Sequence, residues 1–228
     1  MVDILEDDRY YYHFNTIENY RRFLNKDTET LLFQGEMTTV KSLVKRMELS
    51  PYWGQVIFKM VHKYKPKELL EIGTTLGIST LYLATPDARA SLIGIGEELA
   101  IIPKTQHYFK ELGTRNIALF KGSIEKRLAK ILPSFSALDF IFVNELDNTS
   151  LRYIKDCLAF TNHNSVIVIN KPYQNKEGKD CWKKSILLPR VSISIDLYQL
   201  GILFFRSEQK EKAHYTLIQR WKKPWAVF

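Results

Sequence analysis

Apolar and polar positions divide the chain after Pro66 into two alternating kinds of segment. Seven short runs rich in β-branched and aromatic residues predict strands: ELLEIG, SLIGI, NIALF, LDFIFV, SVIVIN, VSISIDL and GILFFR. The intervening segments have helical length and spacing, at residues 78–84, 99–112, 123–132, 150–160 and 175–187. Such alternation predicts an α/β fold with a parallel sheet and helices on both faces.

The last two predicted strands break this alternation. Only the few residues around Tyr198, Gln199 and Leu200 lie between them, which is too short for a crossover helix. The two strands must therefore pair antiparallel. The pattern thus predicts a sheet of seven strands whose last strand is antiparallel.

Before Pro66 the chain shows helical periodicity at residues 8–23, 38–49 and 51–63. We therefore expect a helical N-terminal extension or cap over residues 1–50 and one α/β domain over residues 51–228. The extension carries an aromatic cluster that favours packing over base stacking, formed by Tyr10, Tyr11, Tyr12 and Phe14. An exposed aromatic arm of this kind leaves a homodimer open.

The composition and charge of the chain indicate its cellular compartment and its classes of binding partner. The 228 residues carry a net charge of +8, but the lysines are scattered as on a solvated surface, which disfavours nucleic-acid binding. The two cysteines, Cys157 and Cys181, lack metal-ligand spacing and indicate free thiols in a reducing cytoplasm. The acidic N-terminus has no long apolar stretch, so we expect neither a secretion signal nor a membrane span.

The turn after the first predicted strand contains candidate ligand-binding residues. In Glu71-Ile-Gly73-Thr74-Thr75-Leu-Gly77, the first glycine directly follows the strand, where a Cβ would obstruct a ligand close to the backbone. A dinucleotide fingerprint needs glycine at 73, 75 and 78 and matches only once, and the Gly-Lys-Ser/Thr of a P-loop does not follow. A tight turn that binds no ligand remains the alternative.

This turn resembles the first motif of class I S-adenosylmethionine (SAM)-dependent methyltransferases. In that motif an acid two residues before the first glycine holds the amino end of the cofactor through the turn. The resemblance assigns cofactor binding to Glu71, Gly73, Thr74, Thr75, Gly77 and Ser79. It also implies that the hydroxyl groups of this set bond the cofactor carboxylate.

A wider resemblance covers roughly residues 52–216. It rests on the stretches WGQVIFKMVHKYKPKELLEIGTTLGISTLYLA, LDFIFVNELDNTSLRYIKDCL, SVIVINKPYQNKEGKDCWKKS and VSISIDLYQLGILFFRSEQKEKAHYTL. These resemble O-methyltransferase-like proteins related to catechol O-methyltransferases, in a branch common in Bacteroidetes. The resemblance implies a Rossmann-like methyltransferase fold, SAM as the cofactor and a small-molecule oxygen as the methyl acceptor.

The family implies two further cofactor contacts, and one of them is altered in this chain. Gly96 occupies the position at which the family has an acid that binds the ribose, so we assign the ribose to Glu97, one residue later. The alternative is that Glu97 and Glu98 begin a helix and favour its positive end. Ser123 lies where the family contacts the adenine, with a helix N-cap as the equal alternative.

The family's acidic positions at two later strand ends also hold other residues. The fourth strand ends in Asn144 in place of Asp, and the fifth ends in Asn170-Lys171 in place of Asp-Asp or Asp-Asn. Divalent ions such as Mg²⁺ prefer carboxylates, so we expect no metal site and assign Asn144 to the cofactor. Lys171 becomes the candidate catalytic residue, because an ammonium can hold an oxyanion and a lysine of lowered pKa can act as a general base. A plain exposed lysine is the alternative.

Two functions remain open. The leading one is metal-independent, SAM-dependent O-methylation of a small molecule, which relies mainly on positioning the reactants. The other is a catalytically silent methyltransferase fold, a degenerate member of the family that serves as a binding or scaffold protein. An enzyme must hold SAM, whereas a silent scaffold need not, so SAM binding discriminates between them.

Overall fold

The structure is a computed structural model that describes residues 1–98, 101–144 and 146–217. It divides into two compact units, Met1–Ser136 and Ala137–Phe228. A mostly parallel central sheet with helices around it gives the α/β fold that the pattern predicted. This sheet has eight strands in the described residues and an antiparallel strand near one end. None of the described helices is long and apolar enough to cross a membrane.

The first unit combines the N-terminal helices with three strands of the central sheet. Its described helices are α1 (Val2–Leu5), α2 (Tyr12–Lys26), α3 (Val40–Met47), α4 (Pro51–Tyr64), α5 (Ile78–Ala84), α6 (Ile101–Glu111) and α7 (Ile124–Ile131), followed by a short 3₁₀ helix at Leu132–Ser134. Its described strands are β1 (Thr30–Phe33), β2 (Glu36–Thr39), β3 (Glu68–Ile72), β4 (Ser91–Gly96) and β5 (Ile117–Lys121).

Helix α3 shows how the sequence sets these elements. The side chain of Thr39 accepts a hydrogen bond from the backbone amide three residues later and so caps the first turn. The apolar residues of the helix recur at helical spacing on one buried face, at Val40, Leu43, Val44 and Met47. The helix therefore begins at its cap and packs through a single apolar stripe.

One hydrophobic core joins the N-terminal helices to the turn after β3. Buried side chains of α2 and α3 pack in a single cluster with those of α4, α5 and α6, including Phe14, Leu24, Leu43, Phe58, Tyr82 and Phe109. The segment 73–77, the glycine turn, contributes Leu76 to the same cluster. The N-terminal helices thus share a core with the turn, and the domain boundary expected at residue 50 stays a prediction.

The three parallel strands of this unit fix where the glycine turn lies. Strand β4 pairs with β3 on one side and β5 on the other, and both pairs are parallel. Glu71 on β3 lies opposite Gly94 on β4. The glycine turn leaves β3 at its carboxyl end, which is the end where parallel α/β sheets bind ligands.

The second unit carries the other strands of the sheet. Its described elements are β6 (Leu138–Val143), α8 (Ser150–Leu158), β7 (Thr161–Asn170), α9 (Lys176–Ile186), β8 (Ile193–Asp196), β9 (Leu200–Phe204) and β10 (Ala213–Thr216). The strand order is β10-β8-β9-β7-β6. Strand β9 runs antiparallel to β7 and β8, whereas β6 with β7 and β8 with β10 are parallel pairs. The predicted antiparallel pairing of the last two apolar runs is therefore confirmed.

All seven predicted strands form where the pattern placed them, and the sheet has one strand more than predicted. The extra strand is β10, so the last strand of the described chain is parallel to its neighbour, and the antiparallel strand is β9. A separate hairpin of β1 and β2 takes up residues 38 and 39, which we expected in a helix. Its turn residues, Gln34 and Gly35, both have positive φ, 51° and 81°, as a tight two-residue hairpin turn requires.

Candidate functional site

The glycine turn is held against the sheet by its own backbone. The amides of Gly73 and Thr74 both donate to the carbonyl oxygen of Ile95 at 2.9 Å. Gly73 has φ +87° and Gly77 has φ +85°, a left-handed conformation that glycine adopts without a Cβ penalty. The two predicted glycines are therefore required by the path of the chain, whether or not a ligand binds.

Close packing against α6 is a second reason why position 77 requires glycine. A Cβ at Gly77 would lie 2.4 Å from a ring carbon of Phe109 and 2.5 Å from the methyl carbon of Thr105. The hydroxyl of Thr105 also donates to the carbonyl of Thr75 at 3.1 Å. Helix α6 thus covers one side of the turn, and any larger residue at 77 would displace it.

Glu71 is completely buried beneath the turn. Its carboxylate accepts hydrogen bonds from the hydroxyls of Ser79 and Thr80, both at 2.5 Å, and of Thr74 at 3.0 Å. Burial, and to a smaller extent the charge of Glu48, raise the pKa of Glu71 to about 7, although the three hydroxyls act in the opposite direction. Glu71 therefore orients the hydroxyls of the turn and is divided between its two protonation states near neutral pH.

Gly94 belongs to this arrangement, although sequence reasoning did not single it out. A Cβ there would lie 2.6 Å from the side chain of Leu119, 2.7 Å from the Thr74 hydroxyl and 3.6 Å from Glu71. The residue provides the space in which the threonine hydroxyl reaches the buried acid. Its place opposite Glu71 in the predicted parallel sheet was the signal that could have found it.

Glu48 is the main residue that sequence reasoning missed. Its carboxylate accepts a hydrogen bond from Thr75 Oγ1 at 2.8 Å and from the Leu76 amide at 3.0 Å. It accepts a third from the Ser79 amide at 3.3 Å. Glu48 is 4% exposed, so this is a buried carboxylate held by the glycine turn and the start of α5.

The contact of Glu48 tests whether the turn fits the amino-acid end of SAM. The donors that hold Glu48 include Thr75 and Ser79, to which the resemblance assigned the cofactor carboxylate. Hydroxyl and amide donors converging on one carboxylate are the chemistry such a subsite needs. The donor set therefore fits a carboxylate, and the one that it holds in this structure belongs to the protein.

The candidates for the rest of the cofactor lie at the ends of β4 and β5. Glu97 follows β4, and its carboxylate accepts a hydrogen bond from the Ile124 amide at 2.9 Å, at the first residue of α7. Ser123 is the N-cap of the same helix, and its hydroxyl accepts from the Lys126 amide at 3.4 Å. The structure thus brings Glu97 and Ser123 to one helix start, and their roles toward ribose and adenine stay predictions.

In the second unit, two asparagines meet at the carboxyl ends of β6 and β7. The amide nitrogen of Asn170 donates to the side-chain oxygen of Asn144 at 2.9 Å. Both residues are buried, and Asn170 Oδ1 has no hydrogen-bond partner among the described residues. Leaving a buried acceptor unpaired is costly, so this oxygen is available to a donor on a ligand.

Lys171 follows directly and is half-buried. Its backbone has φ +45°, which is strained for a residue with a side chain, and its amide donates to the Gln199 carbonyl at 2.8 Å. Strain of this kind concentrates at functional positions. Across the described residues, no three His, Cys, Asp or Glu side chains group as metal ligands would; the absence of a metal site stays a prediction.

A comparison with protein families identifies the family of the chain that carries this site. The family model described as O-methyltransferase matches residues 24–178, which span the glycine turn and both asparagines. The chain belongs to the O-methyltransferase family. The match begins inside α2, so part of the N-terminal helices lies within the region that the family shares. No curated protein matches the chain.

This member of the O-methyltransferase family shares its fold with solved methyltransferase structures. The methyltransferase PaMTH1 of Podospora anserina with bound S-adenosylhomocysteine (SAH) has 18% identity, a TM-score of 0.62, and coverage of 88% of this chain and 100% of its own. An O-methyltransferase of Bacillus cereus in complex with SAH has 14% identity, a TM-score of 0.64, and coverage of 89% and 94%. TomG of Streptomyces achromogenes in complex with SAM has 14% identity, a TM-score of 0.63, and coverage of 87% and 92%. At these identities the likeness shows the fold.

Proposed function

We propose that this protein is a SAM-dependent methyltransferase that methylates an oxygen of a small molecule without a metal ion. The family and the neighbours that hold SAM or SAH support SAM as the cofactor. The observation that carries the proposal is the glycine turn, whose donors bind a buried carboxylate. A turn with that property, at the carboxyl end of a parallel strand, suits the amino-acid end of SAM.

The glycine turn of the first unit can supply the contacts to the amino-acid end of the cofactor. The hydroxyl of Thr75 and the amides of Leu76 and Ser79 would hold the carboxylate. Glu71 is a positioning residue, because its three bonds go to hydroxyls of the turn and of α5. When bound, SAM supplies a methyl group on a positively charged sulfur. Glu97 stays our candidate for the ribose.

The second unit offers polar groups suited to a hydroxyl-bearing acceptor at the ends of β6 and β7. The unpaired Oδ1 of buried Asn170 can accept a hydrogen bond from a hydroxyl group, which favours an alcohol or phenol. Lys171, the next residue, can take the hydroxyl proton or stabilise the resulting oxyanion. Asn144 orients Asn170 through the bond between their side chains.

Transfer of label from SAM to a panel of small phenols and alcohols tests this function. We expect label on at least one acceptor and the same initial rate in EDTA and in Mg²⁺, because the described strand ends offer amides where a metal would need acids. A rate that falls to zero in EDTA and returns with Mg²⁺ would contradict metal independence.

Lys171→Ala tests the proposed proton acceptor. Removal of a general base typically costs about 10²–10⁴-fold in rate, so kcat/KM should fall by at least about 100-fold while SAH affinity holds. Lys179→Ala, an exposed lysine on α9, is the matched control and should keep full activity. If Lys171→Ala leaves both ligand affinity and turnover unchanged, Lys171 has no role in the reaction.

A second candidate function is a silent binding protein of the same family. The observation in its favour is that the Glu48 carboxylate occupies the donors that the SAM carboxylate would need. The labelling experiment distinguishes the two functions. Binding of SAM without transfer to any acceptor, or no binding at all by the folded protein, favours the silent protein.

We also place the protein in the cytoplasm. Both cysteines are free and buried, and burial raises the pKa of Cys157 to about 12, so this thiol stays protonated and unreactive. Unpaired structural thiols suit a reducing compartment. Mass spectrometry of the native protein should find both thiols unmodified, and a disulfide or mixed disulfide would contradict this placement.

A further inference from the structure

Glu48 lies in the three-residue link, residues 48–50, between α3 and α4. It ends α3, and its side chain reaches 27 residues along the chain to Thr75. The three bonds to Thr75, Leu76 and Ser79 come from two amides and one hydroxyl, and each donor has a single proton to give. One carboxylate therefore uses these three donors completely.

The neighbouring hydroxyls offer no second set of donors. The protons of Ser79 Oγ and Thr74 Oγ1 both go to Glu71. The amides of Gly73 and Thr74 go to the Ile95 carbonyl. A free ligand carboxylate could use none of these donors while Glu48 and Glu71 hold theirs, and it would stand beside the negative charge of Glu48.

We propose that Glu48 is a tethered competitor that occupies the carboxylate subsite of the cofactor and must leave before SAM binds. The proposal rests on the proposed function, since it concerns the same turn. Glu48 thereby sets how much the amino-acid end of the ligand adds to affinity. A ligand with the nucleoside and the sulfur but no carboxylate does not meet this competition.

Population arithmetic gives the size of the effect. When a binding-competent state has fraction f, the apparent dissociation constant is the intrinsic one divided by f. A tethered group acts at an effective concentration of about millimolar, which exceeds the free cofactor concentrations used in a titration. If the turn is free of Glu48 for a tenth of the time or less, removing this carboxylate strengthens SAH binding by about tenfold or more.

Isothermal titration calorimetry with two ligands tests the competition. SAH carries the carboxylate, whereas 5′-methylthioadenosine has the same nucleoside and sulfur and ends in a methyl group. Both are titrated into the wild-type protein, Glu48→Gln and Glu48→Ala. Glu18→Gln is the matched control, because Glu18 is a partly buried carboxylate of the same unit that binds Arg21 and Tyr82.

We expect substitution of Glu48 to change the affinity for SAH and not the affinity for methylthioadenosine. SAH should bind Glu48→Ala at least about tenfold more tightly than it binds the wild type and Glu18→Gln. Glu48→Gln keeps a neutral acceptor in the subsite, so its affinity for SAH should lie between those of Glu48→Ala and the wild type. The affinity for methylthioadenosine should stay within about twofold in all four proteins. Equal or weaker SAH binding by the Glu48 variants, with methylthioadenosine still bound, overturns the competition and leaves the proposed function intact. If no folded variant binds either ligand, the proposed function fails and the competition fails with it.

A second measurement keeps the proposal testable if Glu48→Ala is unstable. This substitution removes a group the size of acetate and leaves its three donors in place. Added sodium acetate should raise the melting temperature of Glu48→Ala by several degrees relative to equal sodium chloride, with no such difference in the wild type. Identical melting temperatures in the two salts would show that the turn does not bind a free carboxylate, which also overturns the proposal.

Discussion

The buried acid beneath the glycine turn makes a prediction about stability and pH. Glu71→Gln removes the ionisable group and keeps its size and its ability to accept hydrogen bonds. Burial raises the pKa of Glu71 from its usual 4.5 to about 7 in the folded protein. The folded state therefore binds the proton more tightly than the unfolded state, and the stability that this supplies is lost as the pH rises through about 7.

The magnitude follows from the two pKa values. A shift of 2.5 units, from 4.5 to about 7, corresponds to about 3.4 kcal/mol at 1.36 kcal/mol per unit. About 2.5 kcal/mol of this falls between pH 5 and pH 8, because the unfolded state is already mostly ionised at pH 5. The wild type should lose this amount relative to Glu71→Gln across that interval.

Urea unfolding of both proteins at pH 5 and pH 8, at fixed ionic strength, measures the difference. The free energy of unfolding of Glu71→Gln minus that of the wild type should rise by about 2.5 kcal/mol from the lower to the higher pH. Glu111→Gln, an exposed glutamate at the end of α6, should stay within about 0.5 kcal/mol of the wild type at both pH values. A difference for Glu71→Gln that does not change with pH would refute the reasoning.

Two substitutions around the turn give further expected outcomes. Gly94→Ala should lower the free energy of unfolding by about 1–3 kcal/mol, because its Cβ would lie 2.6 Å from Leu119, and an unchanged urea titration would contradict this packing. Tyr20→Phe should cost about 1–3 kcal/mol, since it removes the 2.7 Å bond to the buried carbonyl of Leu76, and an unchanged melting curve would show that the bond contributes nothing.

The strands were predictable because their signal is local. Each of the seven predicted runs after Pro66 is short and rich in aliphatic or aromatic side chains, and all seven form strands. Strand β10 was missed because its four residues, Ala213–Thr216, alternate weakly and carry one histidine and one tyrosine. Only its pairing with β8 makes it a strand.

The glycines of the candidate site were predictable for a similar reason. Gly73 and Gly77 both sit at positive φ, which their place between a strand and a helix indicated. The sequence could not show that the hydroxyls of Thr74 and Ser79 would face a buried acid rather than a ligand. That choice depends on how α5 packs on β3.

Glu48 could not be found from the sequence. It follows the last residue of a helix, where an exposed glutamate is the common case. Its role depends on the packing of α2 and α3 against α5, which brings residue 48 beside residue 75. Long-range packing of this kind leaves no periodic signal in the chain, so only the folded structure shows the second carboxylate of the site.

The central claim is that the glycine turn holds the amino-acid end of SAM, and calorimetric titration with SAH tests it most directly. Gly73→Ala adds a Cβ at φ +87° in the turn, and Gly113→Ala adds one at φ +69° in open space, so both carry similar backbone strain. We predict that the wild type and Gly113→Ala bind SAH with equal, micromolar dissociation constants, and that binding by Gly73→Ala is at least about tenfold weaker. No binding by the folded wild type, or equal binding by all three proteins, would contradict the account.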